Sequence, residues 1–180
     1  MVSTQFEHDL KASIRSIPDY PKPGIVFRDI TPLMADAKAL DEAVRQLAQI
    51  ARPLAPDVVV AAEARGFLLG VALARELGAG FVLARKPGKL PWETERAEYL
   101  LEYGSDALEV HTDALAGGSR VLVHDDLLAT GGTAKALCEL VEQLGGTVVG
   151  CAFLIELAFL RGRERLAGYD VHALMVDEAE

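Results

Sequence analysis

Cysteine is scarce in this 180-residue chain, which has only Cys138 and Cys151. Two are too few for a disulfide framework, and a reduced, cytoplasmic setting fits them best. Long hydrophobic runs are missing as well. Charged, Gly or Pro residues break every apolar stretch before the ~20 residues that a membrane-spanning helix needs. The opening MVSTQFEHDLKASI carries acids and has no apolar h-region, so no secretory signal is read there. Positive charge is in deficit, with 18 Lys and Arg against 27 Asp and Glu, a net charge of −9. That balance argues against a protein that grips nucleic acid by its phosphates, but not against a local positive pocket for a small anion. There is no convincing internal repeat and no low-complexity block. His8, His111, His124 and His172 are scattered without metal-ligand spacing, so no protein-ligated transition metal is expected. Neither G-x-x-x-x-G-K-[ST] nor a G-x-G-x-x-G after a strand occurs, which removes the P-loop and dinucleotide readings.

What is present is an ordinary globular composition, 51% hydrophobic and 25% charged, of a length that suits one domain with a small hood. Phe6, Leu10 and Ile14 recur at helical spacing up to the proline-rich PDYPKPG. IVFRDITPL, at 25–33, reads as extended and irregular. Asp36 is placed to cap a helix in which Leu40, Val44, Leu47 and Ala51 share a face. Then the pattern alternates. DVVVAA (57–62) and GFVLAR (80–85) read as strands buried on both faces, and RGFLLGVALARELG between them as turn, helix and glycine stop. KPGKLPWETERA (86–97) has no periodicity and reads as a mobile loop. EYLLEYG and ALEVHTD read as strands about a turn at Gly104. RVLVHD (120–125) is a strand, TAKALCELVEQLGG (133–146) a helix and TVVGCAFLIEL (147–157) a strand. A short helix and YDVHALM (169–175) follow. Strand–helix–strand repetition predicts an α/β fold: a parallel β-sheet flanked by helices on both faces, with ligands at the carboxyl ends of the strands.

RVLVHDDLLATGGTAKA sits at such an end. Ala129, Thr130, Gly131, Gly132 and Thr133 have small side chains that leave backbone N–H groups open. The helix behind them adds unpaired N–H groups and the positive end of its dipole. This is a cradle for one phosphate, held mainly by backbone because no lysine accompanies it. Asp125 and Asp126, just ahead of it, would repel a bare phosphate but can accept hydrogen bonds from a diol. A ribose 5-phosphate satisfies both halves. Taken alone, TGGT fits a strand-to-helix turn with an acidic cap equally well.

The whole pattern resembles the phosphoribosyl-pyrophosphate (PRPP) signature of type I phosphoribosyltransferases. PKPGIVFRDITPL, EARGFLLG, RKPGKLP, LEYG and DDLLATGGT together are similar to the adenine-using branch, over about residues 10–170. The resemblance implies a single domain, with a hood over 1–34 and a core over 35–180 that carries a lid at about 86–103. It implies transfer of the phosphoribosyl group of PRPP to N9 of adenine, giving AMP and pyrophosphate. Mg²⁺ would be bound through the pyrophosphate, with Asp125 or Asp126 as candidates for a water-bridged contact. Arg65 would meet the leaving pyrophosphate through its guanidinium fork; without the family, an ion pair with Glu63 or Glu76 explains it too. Arg85, Lys86 and Lys89 would reach the pyrophosphate of a neighbouring subunit in a homodimer, or else form a solvated basic loop. Glu102 would manage the purine proton as general acid/base, and Tyr103 would help close the lid. Backbone groups of Val26 and Arg28 would read the purine edge, with Phe27 or Leu157 on its face. The partners implied are adenine, PRPP and a second copy of the chain, with no nucleic acid and no membrane. Two other readings share these motifs: a transferase for another purine base, and a non-catalytic PRPP sensor, which the negative charge disfavours. His124, where an aliphatic is usual, Trp92 in the loop and the acidic stretch of ALMVDEAE have no role in this reading.

Overall fold

The computed structural model describes residues 4–100 and 105–178. In chain order the elements are α1 (Thr4–Ala12), β1 (Arg15–Pro18), β2 (Val26–Asp29), α2 (Thr31–Ala35), α3 (Ala37–Ala51), β3 (Val58–Ala62), α4 (Arg65–Leu77) and β4 (Gly80–Ala84). They continue with β5 (Thr94–Leu100), β6 (Ser105–His111), β7 (Arg120–Leu128), α5 (Gly132–Gln143), β8 (Thr147–Leu157), α6 (Gly162–Arg165) and β9 (Val171–Asp177). Single 3₁₀ turns follow α3 and β8.

Five strands form one parallel sheet in the order β4-β3-β7-β8-β9. Period-two alternation splits the side chains of the central strands between two cores. Leu122, Ala152 and Leu154 pack in one core with Leu47 of α3 and Leu69 and Leu73 of α4. Val121, Val123, Cys151 and Phe153 pack in the other with Leu137 and Leu140 of α5. The central strands therefore carry near-continuous apolar runs, and helices cover both faces, as the sequence pattern predicted. Asp36 caps α3, accepting from the N–H groups of Lys38 (2.8 Å) and Ala39 (3.2 Å). α4 ends at Gly78, whose φ of +71° is the left-handed geometry that a C-terminal glycine supplies without strain.

Several boundaries differ from the sequence reading. β4 is not buried on both faces. It is an edge strand, and Leu83 is 44% exposed. An apolar run reads the same at an edge as in the centre when helices or partners cover it. α1 stops at Ala12 because residues 15–18 pair antiparallel with β2, although Ile14 is still buried. Residues 25–33 are not irregular but hold β2 and the start of α2. The aperiodic loop is confined to 86–93, since β5 begins at Thr94. The β5–β6 hairpin is anchored, with Ala97, Leu108 and Val110 buried beside α5. β7 runs three residues further than the apolar block suggested, so Asp126 as well as Asp125 lies within the strand.

Hairpin β1–β2 shares no ladder with the main sheet. It lies beside the carboxyl ends of the parallel strands, joined to the core through α2 and by the Arg28–Asp177 pair and the Arg65 hydrogen bond to the Arg28 carbonyl.

Candidate active site

The carboxyl ends of β3, β7, β8 and β9 face one side of the molecule, and the chemistry-bearing residues gather there. At the end of β7, Asp126 is nearly buried and Asp125 half-buried. The Asp126 N–H donates to Asp125 Oδ1 at 2.9 Å. Burial, then the neighbouring Asp126 carboxylate, push the Asp125 carboxyl well above its ordinary 3.8; the Arg65 guanidinium opposes this only weakly. Two adjacent acids in this setting favour a ligand that supplies hydroxyl donors or positive charge. Gly66, in the first turn of α4, leaves Asp125 its room, because a Cβ there would sit 2.8 Å from Asp125 Oδ1.

Beyond the end of β7 the chain turns at Gly131, where φ is +82° and no side chain caps α5. The first-turn N–H groups of α5 therefore remain open to an anion. The loop is braced from behind by Gly162. A Cβ on Gly131 would lie 2.5 Å from the Gly162 carbonyl oxygen, and a Cβ on Gly162 would collide with the Ala129 carbonyl. Ala129, Thr130 and Thr133 are half-buried and border this cradle.

Arg65 opens α4, just after a cis peptide bond between Glu63 and Ala64. Its guanidinium pairs with Asp126, donates to the Arg28 carbonyl at 3.1 Å and lies 4.9 Å from the centre of the Phe27 ring. Neither acid considered from sequence takes it: Glu63 pairs with Arg85 at 2.6 Å and Glu76 with Arg52 at 3.4 Å. Lys86 pairs with Asp106 at 3.0 Å, which raises its pKa. Lys89 has an exposed side chain, and its carbonyl accepts from Arg85 at 3.3 Å. The basic group is thus tied to nearby acids at Arg85 and Lys86. Glu102 and Tyr103 lie outside the described residues.

Beside Arg65 is a cavity of about 210 Å³ lined by Gly24, Ile25, Val26, Arg28, Leu157, Phe159 and Leu160. Val26, Arg28 and Leu157 meet there as expected. Phe27 does not line it; its ring packs edge-on against Tyr20 at 5.3 Å and faces Arg65. Sequence reasoning missed Phe159 and Leu160, whose only signal was their place directly after the β8 end.

The model of the phosphoribosyl transferase domain matches residues 30–178. The chain belongs to that family. An adenine phosphoribosyltransferase of Rubrobacter xylanophilus is 63% identical over 167 residues, covering 92% of this chain and 90% of the relative. The crystal structure of adenine phosphoribosyltransferase from Thermoanaerobacter pseudethanolicus superimposes with a TM-score of 0.93 at 54% identity, covering 94% of this chain and 99% of that one. The Saccharomyces cerevisiae enzyme superimposes with a TM-score of 0.89 at 38% identity, covering 96% and 99%. It is complexed with D-2,5-dideoxy-2,5-imino-altritol 1,6-bisphosphate and adenine. Within the family, the chain groups with the adenine phosphoribosyltransferases.

Proposed function

We propose that the chain transfers the 5-phosphoribosyl group of PRPP to N9 of adenine, releasing AMP and pyrophosphate in purine salvage. The observation that carries this reading is one of placement. Two adjacent acids, an uncapped helix N-terminus and a small apolar cavity lie together at the carboxyl ends of one parallel sheet. The 5-phosphate lies on the backbone of residues 129–133, and the ribose hydroxyls donate to Asp125 and Asp126. The base enters the cavity against Leu157, with backbone groups of Val26 and Arg28 at its edge. Arg65 exchanges Asp126 for pyrophosphate oxygens, where its charge stabilises the leaving group. Glu102 manages the purine proton, and Tyr103 helps to close the site.

The acids fit Mg²⁺. Asp125 and Asp126 lie side by side, where burial and then the Asp126 charge hold the Asp125 carboxyl high; a cation would offset both, and Asp125 or Asp126 would hold it through water. When bound, Mg²⁺ supplies charge neutralisation of the pyrophosphate. A homodimer is part of the proposal, with Lys89 reaching the partner's pyrophosphate and Arg85 and Lys86 exchanging Glu63 and Asp106 for it. Its support is an apolar surface: Leu68 and Val71, one turn apart on α4, are 50% and 52% exposed, and Leu83 lies on edge strand β4. A cytoplasmic setting accords with the two free thiols.

The test is a panel of bases, with purified protein, PRPP and Mg²⁺ incubated with adenine, hypoxanthine, guanine or xanthine. Nucleotide formed from adenine alone supports the reading. Turnover of a 6-oxopurine, or PRPP binding without any turnover, overturns it.

A further inference from the structure

The acidic stretch near residue 177 has no part in the reaction as described, yet its first acid pairs with a residue that lines the base cavity. Asp177 closes β9, directly opposite Leu157 in the β8–β9 register, and Leu157 lines the cavity. The Asp177 carboxylate pairs with the guanidinium of Arg28, another lining residue, and both side chains are largely buried. Arg28 also donates from Nη1 to Ser16 Oγ at 2.6 Å, across the β1–β2 register.

We propose that Asp177 is a positioning residue for base recognition. The backbone that reads the purine belongs to β2, and β1–β2 has no ladder to the main sheet. Its distance from Leu157 is therefore not fixed by strand pairing, and is set by the chain link into α2 and by side-chain pairs. The Arg28–Asp177 pair spans that gap beside the cavity, fixing the backbone of residues 26–28 relative to the apolar wall. The Arg28 carbonyl also accepts from Arg65, so the same residue stands between the base cavity and the ribose acids. Removing the carboxylate leaves a largely buried guanidinium without its counter-charge, and the strand that carries it shifts.

This inference rests on the proposed transfer to adenine, and wild-type turnover, measured first, tests that reading separately. Steady-state kinetics of Asp177→Asn then test the tether. Loss of one charge-assisted pair raises the KM for adenine about tenfold, while the KM for PRPP and kcat at saturating adenine stay within about twofold. Asp177→Glu, which keeps the charge, recovers most of the adenine KM. Arg28→Lys, which keeps a positive partner for Asp177 but loses the planar fork, decides the matter if Asp177→Asn does not fold, raising the adenine KM about threefold with the PRPP KM unchanged. An unchanged adenine KM in the folded variants, or equal shifts for both substrates, overturns the proposal, since a purely structural role would not separate them.

Discussion

Gly162 gives the sharpest perturbation of the phosphate cradle. It touches no proposed substrate, yet an added methyl at this position collides with the Ala129 carbonyl and comes within 3.0 Å of Leu128 Cδ1 and 3.1 Å of the Gly131 nitrogen. Two of these three contacts are backbone, so rotamer changes cannot relieve them. Restoring ordinary contact moves the 129–131 backbone by about 1 Å. A displacement of that size costs roughly 100-fold in rate, equivalent to about 2.7 kcal/mol of transition-state stabilisation. Overpacking costs a further ~1–3 kcal/mol of stability, a fall in Tm of about 3–10 °C for a chain of this length. The assay is initial velocity with PRPP varied at saturating adenine, well below the variant's Tm. Gly117→Ala is the control, since nothing lies within 4 Å of its added Cβ. The expected result is a loss of about 100-fold in kcat/KM for PRPP in Gly162→Ala and none in the control. A Gly162→Ala protein within about twofold of wild type would refute the bracing role.

Three further outcomes are expected. Burial lowers the His124 pKa to about 4 from 6.5. The unfolded chain therefore takes up the proton first, and the stability this group confers is complete above pH 6.5 and lost as pH falls towards 4. Denaturant titrations should show wild type losing about 3 kcal/mol more than His124→Leu across that window; parallel curves would contradict the assignment. Glu102→Leu should lower kcat far more than it weakens PRPP binding, and unchanged turnover would remove Glu102 from the mechanism. Leu68→Asp places a charge on the exposed α4 face and should convert a dimer to monomer by light scattering, whereas an unaltered mass would move the interface elsewhere.

The arrangement proposed to hold the donor was legible because it is local. An apolar strand, two acids and a small-residue turn follow one another along a single short stretch, and short-range physics sets their geometry. The cavity proposed for the base was legible only through the family resemblance, because it joins residues 24–28 to residues 157–160, which spacing along the chain cannot bring together without the fold. The bracing of Gly131 by Gly162 is also long-range. Edge and central strands were confused at β4, since an apolar run does not reveal how many neighbours it has. His124, an anomaly in the sequence, has a physical account. Its Nδ1 lies 2.8 Å from the Ala152 carbonyl, and Gly70 of α4 leaves space beside the ring.

The central claim is that the β7 end and the loop after it bind the ribosyl phosphate that is transferred. Its most direct measurement is product stoichiometry with adenine, PRPP and Mg²⁺, for wild type and for a folded Asp125→Asn/Asp126→Asn protein. AMP and pyrophosphate are expected in equal amounts from the wild type, with a rate at least about 100-fold lower from the double variant. Wild-type rates from the double variant would contradict it.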